Sequence, residues 1–270
     1  MSLYRFLSFE NTCDTLKNMR LKLVSPKFFN DPFDCRCGVD DCDPDFINLP
    51  RNMRFGPGLC YNAYGPEKKR FNKFIDDAVS GEDIAEIEKW RIVCFSKQTE
   101  APKNILMWSL YADEHRGCMI EFSDEFEFFL RKQYDFSDIV YKNERICIKF
   151  HDDDETVSQK RKEALLSKSL AWEHEKESRL IINEDVFKKG TDENLFRDLF
   201  HKNDGTSYEA EFMKIKKEFI KNVYVGARMN EEDMHKLTNI CCNLTLRRLR
   251  LCAVRYELHD FDQNGCDMIL

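Results

Sequence analysis

The chain has 270 residues, with 42 Lys and Arg against 49 Asp and Glu, a net charge of −7. Its 42% hydrophobic content, with 22 Phe, 9 Tyr and 3 Trp, supplies a sizeable core and excludes wholesale disorder. The acidic balance argues against sequence-independent grip on nucleic acid, and no run approaches the roughly 20 apolar residues that cross a bilayer.

Leu3–Ser8 reads as the first strand, followed by a short helix capped at Asn11 or Thr12, with Leu16 and Met19 on its inner face. Leu21–Ser25 alternates as a strand and Pro26 closes it. Residues 31–66 read as a long loop, and 66–90 as a helical insertion with Phe71, Phe74, Ile75, Ala78 and Val79 on one stripe. Arg91–Ser96 is a strand, Ile105–Tyr111 a short aromatic helix and Gly117–Phe122 a strand. Ile139–Tyr141 and Ile146–Phe150 look like a strand pair around a Lys142–Asn143 turn, and a helix is expected over 156–171. Ser178–Ile182 is a strand, and 191–219 is expected to be a helical insertion with Phe anchors. Ile220–Val225 is a strand, Asn230 caps a helix carrying Met234, Leu237, Ile240, Cys241 and Leu244, and Leu249–Tyr256 is the last strand. Without strict βαβ alternation or a Pro/Ser-rich linker, the class is α+β. The expectation is a single domain over 1–270, with a mixed, largely antiparallel sheet flanked by helices.

The N-terminal stretch has no basic leader or cleavage site, so the cytoplasm is expected, with reduced thiols among the twelve Cys and no membrane partner. Cys35-x-Cys37-x4-Cys42 amid aspartates raises zinc, but a second half with similar spacing is missing, so no metal is expected. His115 and Cys118 raise a Cys–His nucleophile, although Cys118 opens an apolar strand and needs no such role. Arg247, Arg248 and Arg250 read as a solvated strand edge. Dinucleotide, phosphate-loop, zinc-protease and nucleophile-elbow signatures are absent.

Five segments are more specific. They are Leu3-Tyr4-Arg5-Phe6; Phe29-Asn30-Asp31-Pro32-Phe33-Asp34; Val93-Cys94-Phe95-Ser96; Leu106-Met107-Trp108 through Tyr111 to Gly117–Phe122; and Lys168 with Trp172-Glu173-His174-Glu175-Lys176-Glu177-Ser178-Arg179-Leu180-Ile181. In this order they resemble the bacterial family called domain of unknown function 2971, over about residues 3–226. Ser178 departs from it, standing where the family usually has an aromatic.

If 173–179 is extended, Glu173, Glu175, Glu177 and Arg179 share one face, with successive carboxylates about 7 Å apart. An arginine on the first strand, a serine ending a middle strand and a Glu-x-Glu on a later one also resemble the arginine–serine–glutamate set of ADP-ribosyltransferases. That resemblance implies NAD as substrate, Arg5 as the NAD-binding arginine, Ser96 as the middle serine and Glu177 as the catalytic glutamate. Glu175 would orient the acceptor, Trp108 and Tyr111 would stack on nicotinamide or adenine, and Asn30, Asp31, Asp34, Trp172 and Arg179 would support the cleft. The acceptor would be a protein or nucleic acid, and the setting a toxin, effector or phage-defence system with a partner protein encoded nearby. Cleavage at the nicotinamide ribose passes through an oxocarbenium-like state that a fixed carboxylate stabilises. This reading requires Arg5 and Glu177 on one face of the sheet, and it expects Glu177→Gln to keep the fold. Two alternatives remain: a non-catalytic nucleotide- or protein-binding module, and a metal-dependent nuclease using Asp31, Asp34, Glu175 and Glu177. In the plainest reading, Arg5 pairs with the aspartates of the 29–34 segment.

Overall fold

The computed structural model describes residues 2–39, 87–98, 100–149, 152–241 and 243–262. In chain order the elements begin with β1 (Leu3–Leu7), α1 (Phe9–Asn18), β2 (Arg20–Lys22), β3 (Gly38–Val39) and β4 (Trp90–Ser96). Next come α2 (Ile105–Tyr111), β5 (Cys118–Phe122), α3 (Asp124–Gln133), β6 (Asp135–Asp138), β7 (Val140–Lys142), β8 (Cys147–Ile148) and α4 (Asp154–Leu165). The last are β9 (Ser167–Ser169), β10 (Glu177–Asn183), α5 (Asp185–Lys189), β11 (Leu195–His201), β12 (Ser207–Lys214), β13 (Ile220–Val225), α6 (Glu231–Ile240), β14 (Thr245–Leu251) and β15 (Leu258–Asp262). Helix starts are set locally, because a side-chain oxygen satisfies an orphan N–H of the first turn. Asn104 accepts from Met107 N, Asp153 from Thr156 N and Asn230 from Asp233 N. The first helix starts earlier than its sequence suggests, at Ser8 rather than Asn11 or Thr12, with the Ser8 hydroxyl accepting from Asn11 N.

The chain divides into two compact units, one within Met1–Val24, Arg91–Asp138 and His174–Leu270, the other within Ser25–Trp90 and Ile139–Glu173. The second unit is made from two separate excursions of the chain, so no linker of unusual composition announces it. In the first unit an eight-stranded mixed sheet runs β15-β14-β13-β5-β1-β4-β10-β6, and β11-β12-β2 form a smaller sheet. Only β13–β14 is parallel among the registered pairs of the large sheet. One face of that sheet sends Leu3, Leu7, Val93, Phe95, Ile120, Phe122, Leu180, Ile182 and Val223 into the main core, where Phe126 and Leu130 of α3 meet them. The other face carries Tyr4, Phe6, Met119, Tyr224 and Leu249, covered by Met107 and Trp108 of α2. Burying an aliphatic or aromatic side chain in such cores contributes about 1.5–3 kcal/mol each.

In the second unit, two parallel ladders pair β3 with β8 and β7 with β9. The expected hairpin around Lys142–Asn143 is therefore not formed: β7 and β8 each pair with a strand distant in sequence. The helix expected over 156–171 ends at Leu165, since the chain turns into β9 and then a 3-10 stretch, Leu170–Glu175. The 66–86 part of the first expected insertion lies outside the described residues, as do Cys42 and its neighbouring aspartates. The second insertion, 191–219, is a β-hairpin instead of helical. Leu195, Phe200, Ala210 and Phe212 face inward, and Gly205 at φ 84 makes the tip, a glycine turn that marks a hairpin. The arginines of β14 do not line a sheet edge, because β13 and β15 flank that strand; Arg248 pairs with Glu231 and Arg247 with Asp260.

Candidate functional site

Within the first unit, Ser96, Tyr111, Glu175, Glu177 and Arg179 lie where β4 ends and β10 begins, beside α2. Lys176 adopts φ 45, a left-handed backbone, and β10 starts only at Glu177. Glu173, Glu175 and Glu177 therefore do not share one extended strand. From Glu177 onward the two-residue period holds. Leu180 and Ile182 enter the main core, so Glu177 and Arg179 lie on the opposite face. There Glu177 Oε1 accepts from Arg179 Nε at 2.6 Å and Oε2 from Nη2 at 3.1 Å. Arg179 is 0% exposed and Glu177 5%. Removing one member of such a buried pair typically costs about 3–5 kcal/mol. The expectation that Glu177→Gln keeps the fold with little loss of stability thus gives way to a substantial expected cost.

Glu175 closes the 3-10 turn just before β10 and is 3% exposed. Its carboxylate accepts a hydrogen bond of 2.5 Å from Tyr111 Oη, which the last turn of α2 delivers. Ser96 donates to the Glu175 carbonyl at 2.7 Å and accepts from Gln98, while Gln98 and Asn104 both donate to the His174 carbonyl. The hydroxyl proton of Ser96 is spent on the chain, so this serine positions Glu175 and has no donor left for a ligand.

Two other assignments change. Arg5 alternates with Leu3 and Leu7, which enter the main core, and it pairs in register with Ile120 of the same core. Arg5 and Glu177 therefore face opposite sides of the sheet, and the arginine–serine–glutamate set does not assemble. Nor does Arg5 pair with the aspartates of 29–34: its Nη2 donates to the Lys22 carbonyl at 3.0 Å. Its burial pulls the guanidinium down to about 10. Trp108 is fully buried, with Phe6 edge-on to its ring, His115 stacked on it and the indole N–H bonded to the Pro102 carbonyl. It packs the core and cannot stack on a ligand.

Asn30, Asp31, Asp34 and Trp172 belong to the second unit. Asn30 is exposed, and the Asp31 carboxylate accepts from Phe33 N, an Asx turn that shapes the loop. Asp34 pairs with Lys168 at 3.5 Å, both side chains buried, and Lys168 lies over the Trp172 ring at 5.0 Å. The four carboxylates of the nuclease reading are thus each engaged by a donor: Asp31 and Asp34 as above, Glu175 by Tyr111 and Glu177 by Arg179. Among the described residues, no group of three His, Cys, Asp or Glu is arranged to hold a metal.

Sequence reasoning missed two features of the first unit. Glu121 is buried and accepts from Lys221, Asn222 and Tyr224. Burial pushes its carboxyl up, but the Lys221 and Asn222 hydrogen bonds outweigh this and hold it below the usual range. Asp113, Glu114 and His115 are consecutively left-handed, at φ 47, 50 and 69. Such a run of non-glycine residues is strained by about 1–2 kcal/mol each. It fits because Gly117 and Gly226 let backbones touch: a Cβ on Gly117 would stand 2.1 Å from the Leu7 carbonyl oxygen, and one on Gly226 2.2 Å from that of His115. Those two glycines were the available signal. Cys118 enters the main core, and burial raises its thiol, the reverse of nucleophile activation.

Residues 107–180 match the model of a family described as a protein of unknown function, DUF2971. The match supports the family resemblance over that segment, from α2 to the middle of β10, and it contains Tyr111, Glu175, Glu177 and Arg179 but not Arg5 or Ser96. Neither the curated proteins nor the solved structures provide a match. No helix among the described residues is long and apolar enough to cross a membrane.

Proposed function

We propose that the first unit cleaves a ribosyl carbon–nitrogen bond, with NAD as substrate and Glu175 as the carboxylate facing the reacting ribose. The observation that carries this reading is the short Tyr111–Glu175 hydrogen bond, set beside the buried Glu177–Arg179 pair. Burying that much charge is costly for stability alone, and such clusters concentrate at sites that do chemistry. Relative to the sequence-based assignment, the working carboxylate moves from Glu177 to Glu175, because Glu177 is closed on Arg179. Arg5 has no role in it.

In the proposed step the bond between ribose C1′ and the nicotinamide nitrogen breaks, and its electron pair leaves with neutral nicotinamide. Positive charge develops on C1′ and the ring oxygen, where a carboxylate fixed by a tyrosine is stabilising. Water completes a hydrolysis and loses a proton; a protein or nucleic-acid nucleophile in its place completes an ADP-ribosyl transfer. Ser96, Glu175 and Glu177 are only 3–5% exposed, which leaves little access for water or an acceptor nucleophile and favours a second reading, a nucleotide-binding module without turnover.

Nicotinamide release from NAD, followed chromatographically with and without bacterial lysate as acceptor source, separates these readings. Glu175→Gln should slow release by about 100- to 1,000-fold, the usual loss for one preorganised electrostatic contact. Tyr111→Phe should cost less. NAD binding without release leaves the binding module, and absence of both binding and release rejects the site.

A further inference from the structure

The second unit contains a cavity of about 240 Å³ between the 31–36 loop, the 142–146 segment and β9. Its wall is unusual in charge for a chain of net −7, because Arg36, Lys142, Arg145 and Lys168 all line it. Of its three acids, Asp34 is neutralised by Lys168 and Asp31 is spent on the Phe33 amide, which leaves Glu144. Arg145 donates to the Arg36 and Cys37 carbonyls at 3.2 and 2.9 Å, bonds that fix the guanidinium without cancelling its charge. Arg36, Lys142 and Arg145 make no ion pair among the described residues. A concave site that keeps three such cations concentrates anions, and guanidinium groups match the oxygens of a phosphate.

Three neighbours narrow the ligand. Phe33 is 61% exposed at the rim, and the Arg145 guanidinium sits 5.3 Å from its ring centroid. Ser169 accepts from Ala171 N, so its hydroxyl proton remains available, and Glu144 can accept from a ligand hydroxyl. The volume lies below the range of about 300–1,000 Å³ typical of drug-sized pockets, which favours a compact ligand over a whole dinucleotide. We infer that the second unit holds a site for a small phosphate monoester of the mononucleotide class, with Arg36, Lys142 and Arg145 on the phosphate and Ser169 and Glu144 on its hydroxyls. The site draws on no residue of the proposed ribosyl-cleaving centre.

Calorimetric titration of the full chain with AMP, ribose 5-phosphate and adenosine tests it. AMP and ribose 5-phosphate should bind, and adenosine should bind at least 10-fold more weakly. Arg36→Ala and Lys142→Ala, both outside the core, should each weaken AMP by about 10-fold or more, whereas Glu175→Gln should leave it unchanged. Loss of AMP binding in Glu175→Gln would move the phosphate to the other site. Adenosine binding as tightly as AMP, AMP binding undiminished in both cation variants, or no binding at millimolar AMP would each overturn the assignment. Fluorescence-detected unfolding of the same variants verifies that they are folded.

Discussion

Each unit holds a buried acid–base pair beside its candidate site, Glu177–Arg179 in the first and Asp34–Lys168 in the second, and the two pairs are built differently. Glu177 and Arg179 stand two residues apart on one strand and touch twice, at 2.6 and 3.1 Å. The strand's own period puts both side chains on one face, so β10 organises the pair as soon as it forms. Asp34 and Lys168 come from distant parts of the sequence, approach only to 3.5 Å, and form part of a cavity wall. The contrast separates two uses of buried charge. A closed, two-contact pair is a fixed support for what lies next to it, here the turn that carries Glu175. A longer contact beside open space can rearrange around a ligand.

The largest expected effect tests the closed pair. Glu177→Gln or Arg179→Met should lower unfolding free energy by about 3–5 kcal/mol in urea, because each strands a buried partner. The double variant Glu177→Met/Arg179→Met should recover most of that loss. A single variant indistinguishable from wild type would break the contrast from this side. Lys168→Met should cost less, about 1–3 kcal/mol, since the carboxylate left behind borders a cavity that admits water. A loss as large as that of Glu177→Gln would erase the distinction between the pairs. The smallest effect sharpens the electrostatics of the first unit. Glu121 is held below the usual carboxylate range, so its contribution to stability is present above that range and is lost as pH falls through the lowered value. Lys221→Met removes a contact that lowers it, so it should reduce stability near neutral pH and shrink the loss seen on acidification, read from urea midpoints across a pH series.

How much of this was legible in the sequence follows from range. The strands Leu3–Leu7 and Trp90–Ser96, the helix Ile105–Tyr111 and the helix after Asn230 were readable because cap, period and composition all act within a few residues. The hairpin over Leu195–Lys214 was not read as strands, although Asn203-Asp204-Gly205 marks its turn, because its polar residues and Phe spacing imitate a helix. Glu175 stands out in the sequence, but as part of a strand that the left-handed Lys176 prevents. Its true partner, Tyr111, was found only as an aromatic, since a hydrogen bond between segments this far apart leaves no local pattern.

By itself the sequence determined the α+β class, many element positions and the parity within each strand: Leu3, Arg5 and Leu7 on one side, Glu177 and Arg179 on another. It did not determine which parity of one strand meets which parity of the next. In β1 the odd residues enter the main core, whereas in β10 the even ones do, and this alone puts Arg5 and Glu177 on opposite faces. That choice belongs to tertiary structure because both alternations are locally self-consistent. Only the joint burial of Leu3, Leu7, Leu180 and Ile182 in one core selects between them.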